Sequence, residues 1–137
     1  MKIVVGYDGS EHAERALGRA IGIAKEGDDI LVVAAAHTST IARDPAGGTS
    51  SVDPIEVEAA EEALGKARVT AAAAGLSARF IEGHGDPADT LVRIATEEDA
   101  GLIVIGTRGL NFAQRALLGS VSTKVVHHAP CDVLVVR

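Results

Sequence analysis

The chain has 137 residues, 47% hydrophobic and 23% charged, the size and balance of one globular domain rather than a disordered or fibrous chain. Its net charge of −6 argues against sequence-independent binding to nucleic acid or anionic membranes, and its 2% aromatic content leaves no platform for stacking bases along a strand. The opening run is too short for a signal peptide and stops at Asp8, and no stretch approaches the roughly 18 apolar residues of a membrane span. A single Cys131 excludes an internal disulfide and is consistent with a cytoplasmic location.

Lys2 to Tyr7 is a continuous apolar run, the form of a strand covered on both faces. Asp8, Gly9 and Ser10 make the turn. Ala13, Ala16, Leu17, Ala20, Ile21 and Ala24 then fall on one helical stripe, and Gly27 is the expected close of that helix. Asp29 to His37 reads as a second buried strand. Residues 38–53 carry no periodicity and are expected to be irregular, either a lid over a ligand or an idle loop. Asp53, Pro54 and Glu56 form a helix start with a capping box, and that helix runs to about Ala74 and Gly75. Its glutamates read as a solvated acidic face, not a metal site.

Leu76 to Glu82 is a third strand, with Gly83 to Pro87 as the turn into a helix that buries Leu91, Ile94 and Ala95 and ends at Gly101. Leu102 to Ile105 is a fourth buried strand. Val121, Val125 and Val126 mark the last helix, and Asp132 to Val136 is the fifth strand. Strands that alternate with helices demand a parallel sheet with right-handed crossovers. The expectation is a single α/β domain over residues 1–137, a doubly wound five-stranded parallel sheet with helices on both faces.

The chemistry concentrates after the fourth strand. Gly106 and Gly109 sit at its exit and flank Thr107 and Arg108; Gly119 and Ser120 open the last helix. Glycines there let a ligand approach backbone N–H groups. Ser120 is a good N-cap, which places the N–H groups of Val121 and Ser122 at a helix N-terminus, a natural seat for phosphate. Arg108 either pairs with that phosphate or is a solvated loop residue. Asp8 has two readings as well, a ligand contact or a turn residue capping the first helix. Lys124 is read as solvated, and His127, His128 and Cys131 as lying away from the site.

The spacing Gly106-x2-Gly109-x9-Gly119-Ser120, with Val4 to Ser10 at the start and Gly119 to Val136 at the end, resembles the signature of the universal stress protein family, in its ATP-binding branch. The resemblance covers essentially the whole chain. It implies strand order 3-2-1-4-5, which makes the first and fourth strands neighbours and brings Asp8, Gly9 and Ser10 to the exit of Gly106. It implies that Gly106, Gly109, Gly119 and Ser120 hold the triphosphate of ATP or another adenine nucleotide, aided by the Val121 N–H and the Ser122 hydroxyl. Asp8 then lies near the ribose or an accompanying Mg²⁺, and Ala34, Ala35 and Ala36 contact the adenine. It also implies a stress-response regulatory module with a regulatory protein partner, and a homodimer. An edge of Val133, Leu134, Val135 and Val136, with no Pro and no charge before Arg137, invites that pairing.

Other classes fit less well. A response-regulator receiver needs an acidic pair after strand one, an Asp after strand three and a Lys after strand five; this chain offers Asp8 alone, then Gly83-His84-Gly85, then its end at Arg137. Neither a P-loop nor a dinucleotide fingerprint occurs. With no dedicated base besides Asp8, little or no hydrolysis is expected. A slow ATPase and an interaction protein without ATP are the competing readings.

Overall fold

A computed structural model describes residues 1–39, 51–107 and 118–137. In chain order they form β1 (Lys2–Gly6), α1 (Glu11–Ile23), β2 (Asp29–Ala36), β3 (Thr38–Ser39), β4 (Ser51–Val52), α2 (Pro54–Ala73), β5 (Ala78–His84), α3 (Pro87–Glu97), β6 (Leu102–Gly106), α4 (Ser120–His128) and β7 (Asp132–Val136). The main sheet is parallel throughout, in the order β5-β2-β1-β6-β7. Counted along the five long strands, this is 3-2-1-4-5. The order reverses between β1 and β6, the switch point beyond which open α/β sheets bind ligands.

Each long strand feeds both faces, because successive side chains alternate. Ile3, Val5 and Tyr7 pack with Ile30, Val32 and Ala34 under α1 and α2; Val4, Leu31, Val33, Ile103 and Ile105 pack under α3 and α4. The helices meet the first face largely through alanines. Ala13, Ala16 and Ala20 of α1 and Ala60, Ala63 and Ala67 of α2 are buried there, so two helix backbones lie close on the sheet with few bulky side chains. This is how a chain so poor in aromatics closes its core.

Several boundaries differ from the sequence expectation. α1 ends at Ile23, and Gly27, at φ +90°, serves the turn into β2 instead of capping the helix. β5 starts two residues later than expected and runs on through His84, whose ladder partner is Ala36. α3 stops at Glu97, with Asp99 at φ +52°, before Gly101 is reached. The ends of the irregular 38–53 stretch pair as an antiparallel two-strand ladder, Thr38 with Val52 and Ser39 with Ser51; the lid reading of residues 40–50 lies outside the described residues.

At the sheet's N-terminal end, Glu98 gathers two strands. Arg79 of β5 donates to both its oxygens at 3.1 and 2.7 Å, and Lys2 of β1 lies 2.8 Å away. The Arg79 pair first, then Lys2, holds the Glu98 carboxyl down at about 2, from an ordinary 4.5. A carboxyl depressed in the folded state adds stability above its unfolded pKa and loses it as pH falls through the folded one. Glu98→Gln should therefore lower the melting temperature at pH 7, and the gap to the native protein should close between about pH 4.5 and 2. A gap that stays constant in melts across that range would show that Glu98 acts through packing alone.

Candidate functional site

The two strand exits at the switch point are built differently. After β1, Tyr7 N–H still donates to Val33 O at 2.9 Å, extending the ladder by one residue. Asp8 Oδ1 then accepts from Ser10 N–H at 2.9 Å, an Asx turn, with Gly9 at φ +83°. The α1 cap is Ser10, whose Oγ accepts from Ala13 N–H at 3.1 Å. The capping reading of Asp8 thus passes to Ser10, and Asp8 shapes the turn before it.

After β6, Thr107 is a junction. Its N–H donates to Val136 O at 3.0 Å, its carbonyl accepts from Gly119 N–H at 2.6 Å, and Ser122 Oγ lies 3.2 Å from the same carbonyl. Gly119, at φ −69° and ψ 166°, is the N-cap of α4, and its carbonyl accepts the first helical bond from Thr123 N–H at 3.0 Å. Ser120 was expected to cap; it is instead the exposed first residue of the helix. The helical bonding begins one residue early, so the cap position falls on a residue with no side chain. No side-chain hydrogen bond caps α4 among the described residues. Its leading N–H groups have no partner within the helix and carry its partial positive charge.

Beyond the strand ends lies a groove of two adjoining lobes. The first, about 610 Å³ of empty space, has apolar walls of Val33, Ala35, Leu91 and Ile105 and ends at Gly106, Gly119, Val121 and Ser122. The second, about 880 Å³, lies against α2, between Ala34, His37, Glu56, Ala60 and Ala63 and the start of α4 at Ser120, and both lobes open to solvent. Tyr7, Asp8, Ala35 and Val121 line both. The missing side chain of Gly6 lets the apolar wall close up, since a Cβ there would stand 2.8 Å from Leu91 Cδ1 and 3.0 Å from Ile105 Cγ2.

Of the residues singled out in the sequence, Asp8, Ala34, Ala35, Gly106, Gly119, Ser120, Val121 and Ser122 are brought together along this groove. Gly9 and Ser10 line neither lobe; they hold the turn and the helix cap. Ala36 is buried in the core beneath α2. Arg108 and Gly109 lie outside the described residues. The Ser122 hydroxyl, in a residue only 3% exposed, is directed at the carbonyls of Thr107 and Gly119, at 3.2 and 3.0 Å.

Sequence reasoning missed the places of Tyr7, Thr107, Leu91 and the α2 wall at the groove. Tyr7 is buried and donates to Glu14, which also accepts from Thr70, so β1, α1 and α2 are tied together beneath the groove. Burial, then the hydrogen bond to Glu14, pushes the Tyr7 phenol well above its ordinary pKa and keeps it neutral. Lys124, read as solvated, lies 3.2 Å from Asp86 and 2.9 Å from Asp89, which joins α4 to the start of α3. Asp89, then Asp86, raises the Lys124 ammonium. Among the described residues, no group of three or more His, Cys, Asp or Glu side chains is placed to hold a metal ion unaided.

A groove that runs from apolar walls to the start of α4, at the strand-order reversal of a parallel sheet, defines a doubly wound α/β domain with its groove at the switch point. The chain belongs to the universal stress protein family, whose sequence profile matches residues 1–137. It is 37% identical over 139 residues to a protein of Staphylococcus aureus (strain USA300) bearing the universal stress protein name, covering 98% of this chain and 82% of that one. Two solved structures share the fold over all of this chain. One is a universal stress protein in complex with cAMP, 30% identical with a TM-score of 0.76 over 97% of its length. The other is the universal stress protein of Archaeoglobus fulgidus in complex with dAMP, 29% identical with a TM-score of 0.77 over 98% of its length. No helix among the described residues is long and apolar enough to cross a membrane.

Proposed function

We propose that this chain is a regulatory module that binds ATP or another adenine nucleotide, with little or no hydrolysis. The observation that carries the reading is the continuity of the first lobe, from an apolar cleft to the start of α4, which no side chain caps among the described residues. The base enters between Ala35, Leu91 and Ile105, and the phosphates take the N–H groups of Val121 and its neighbours. The adenine nucleotides in the two solved relatives support this choice of ligand. Mg²⁺ fits with the nucleotide, because that ion is commonly held by one or two carboxylates plus phosphate oxygens, and Asp8 supplies one carboxylate at the groove. Phosphoryl transfer also needs a group that positions the attacking water, and Asp8 serves the metal better than that role.

The same reading makes the protein a cytoplasmic stress-response component that signals to a protein partner, with no affinity for nucleic acid or membrane at a net charge of −6. It acts as a homodimer paired through β7.

Thermal melting with Mg-ATP tests the ligand. At a free concentration of about a hundred times the dissociation constant, linkage adds roughly 2.7 kcal/mol, on the order of 5–15 °C for a domain of this size. Product ADP in the same sample should accumulate far more slowly than the roughly 10 s⁻¹ of a median enzyme. No shift at millimolar Mg-ATP, in protein shown by mass spectrometry to carry no nucleotide already, would remove the reading.

A further inference from the structure

Thr107 and Gly119 meet where β6 ends and α4 begins. Gly119 N–H donates to Thr107 O at 2.6 Å, and Ser122 Oγ reaches both the Thr107 and the Gly119 carbonyl. This neck sets where the start of α4 stands relative to the exit of β6. Thr107 is itself fixed from two sides. Its N–H is held by Val136 O of β7, and its Oγ1 shares a hydrogen bond of 3.3 Å with Nδ1 of His12, in the first turn of α1. The contact is tight along its length, for a Cβ on Gly106 would stand 2.8 Å from His12 Cβ and 2.9 Å from its backbone carbonyl carbon and oxygen. Thr107 and Ser122 are 5% and 3% exposed, so water does not replace these bonds readily.

We propose that His12 is a positioning residue for the phosphate end of the groove: through Thr107 it fixes the neck that aims the N–H groups of α4 at the anion. Among the described residues His12 is not part of the lining of either lobe, and its link to the groove runs through Thr107. The inference rests on the phosphate-binding reading above and adds to it a residue ninety-five positions away in sequence from the junction it controls.

The role separates phosphate from base. His12→Ala should weaken Mg-ATP by roughly 3- to 10-fold, the range of one net hydrogen bond, while adenosine binds as to the native protein. His12→Asn, whose amide can stand where Nδ1 stood, should restore the Mg-ATP affinity. In the nucleotide-free protein, hydrogen exchange at the Gly119 amide should quicken in His12→Ala by a similar roughly 3- to 10-fold factor and recover in His12→Asn. Calorimetry with Mg-ATP and with adenosine, beside amide exchange on all three proteins, measures each quantity. Equal losses for both ligands, no loss for Mg-ATP, or an unchanged Gly119 amide would overturn the role of His12. If the native protein binds neither ligand, the nucleotide reading fails, and the amide exchange alone decides whether His12 governs the neck.

Discussion

Valine in place of Gly119 is expected to leave a folded protein with about 100-fold less affinity for Mg-ATP, or weaker still. Gly119 has an ordinary extended conformation, φ −69° and ψ 166°, so a β-branched residue is not strained there. Its position at the end of the first lobe is what matters. Two methyl groups at the cap of α4 would stand between an anion and the N–H groups of Val121 and Ser122. Each hydrogen bond to a charged group contributes about 1.5–3 kcal/mol, so two lost bonds amount to roughly 100-fold or more. Gly119→Ala, with one small carbon, should lose less. Calorimetry on variants whose melting temperature without nucleotide matches the native one measures this. Native affinity in a folded Gly119→Val protein would place the phosphate elsewhere. Gly106 is not an equivalent test, although the sequence motif treats the two alike. A side chain there collides with the backbone of His12, so Gly106→Val reports on packing between β6 and α1 before it reports on any ligand.

That difference between two glycines shows what the sequence carried and what it did not. Strands buried on both faces must read as apolar runs, and helices on such a sheet must show one apolar stripe, so element order and fold class were legible. The glycine spacing and the capping pattern led to the start of α4, while the family resemblance, through its strand order, led to Asp8. Glycine as punctuation misled where tertiary contacts outweighed it. Gly83 reads as a turn residue in the sequence, yet it lies inside β5, where a Cβ would be 2.3 Å from Thr90 Cγ2; the glycine is there to admit α3. Ser120 has the better capping side chain, yet the first helical bond falls on the Gly119 carbonyl. The junction at Thr107 and the tie beneath Tyr7 stayed invisible because their partners are remote. His12 lies 95 positions from Thr107, and Thr70 lies 56 positions from Glu14. No local pattern marks such pairs.

The edge of the sheet yields the second large effect. β7 pairs with β6 on one side and ends the sheet on the other. Val133, Leu134 and Val135 are only partly buried, unlike the fully buried centres of β1 and β6. The Val136 carbonyl accepts from Thr107 N–H, so the backbone groups of Val136 turn toward β6. Alternation along a strand then turns those of Val135 and Val133 to the far edge, where no strand pairs among the described residues. An apolar edge with outward N–H and C=O groups and no interior charge is a template for another strand. A second copy placed antiparallel about a two-fold axis satisfies both edges at once. Val135→Pro removes an outward donor and leaves the ladder to β6 intact, and an edge strand tolerates proline in that orientation. The symmetry doubles the loss, since each copy gives up one bond worth about 0.5–1.5 kcal/mol, so dimerisation should weaken by roughly 10- to 100-fold. Sedimentation should show the native chain as a dimer at about tens of micromolar and a folded Val135→Pro chain shifted to monomer. A native monomer, or a dimer indifferent to the proline, would place the contact on another surface.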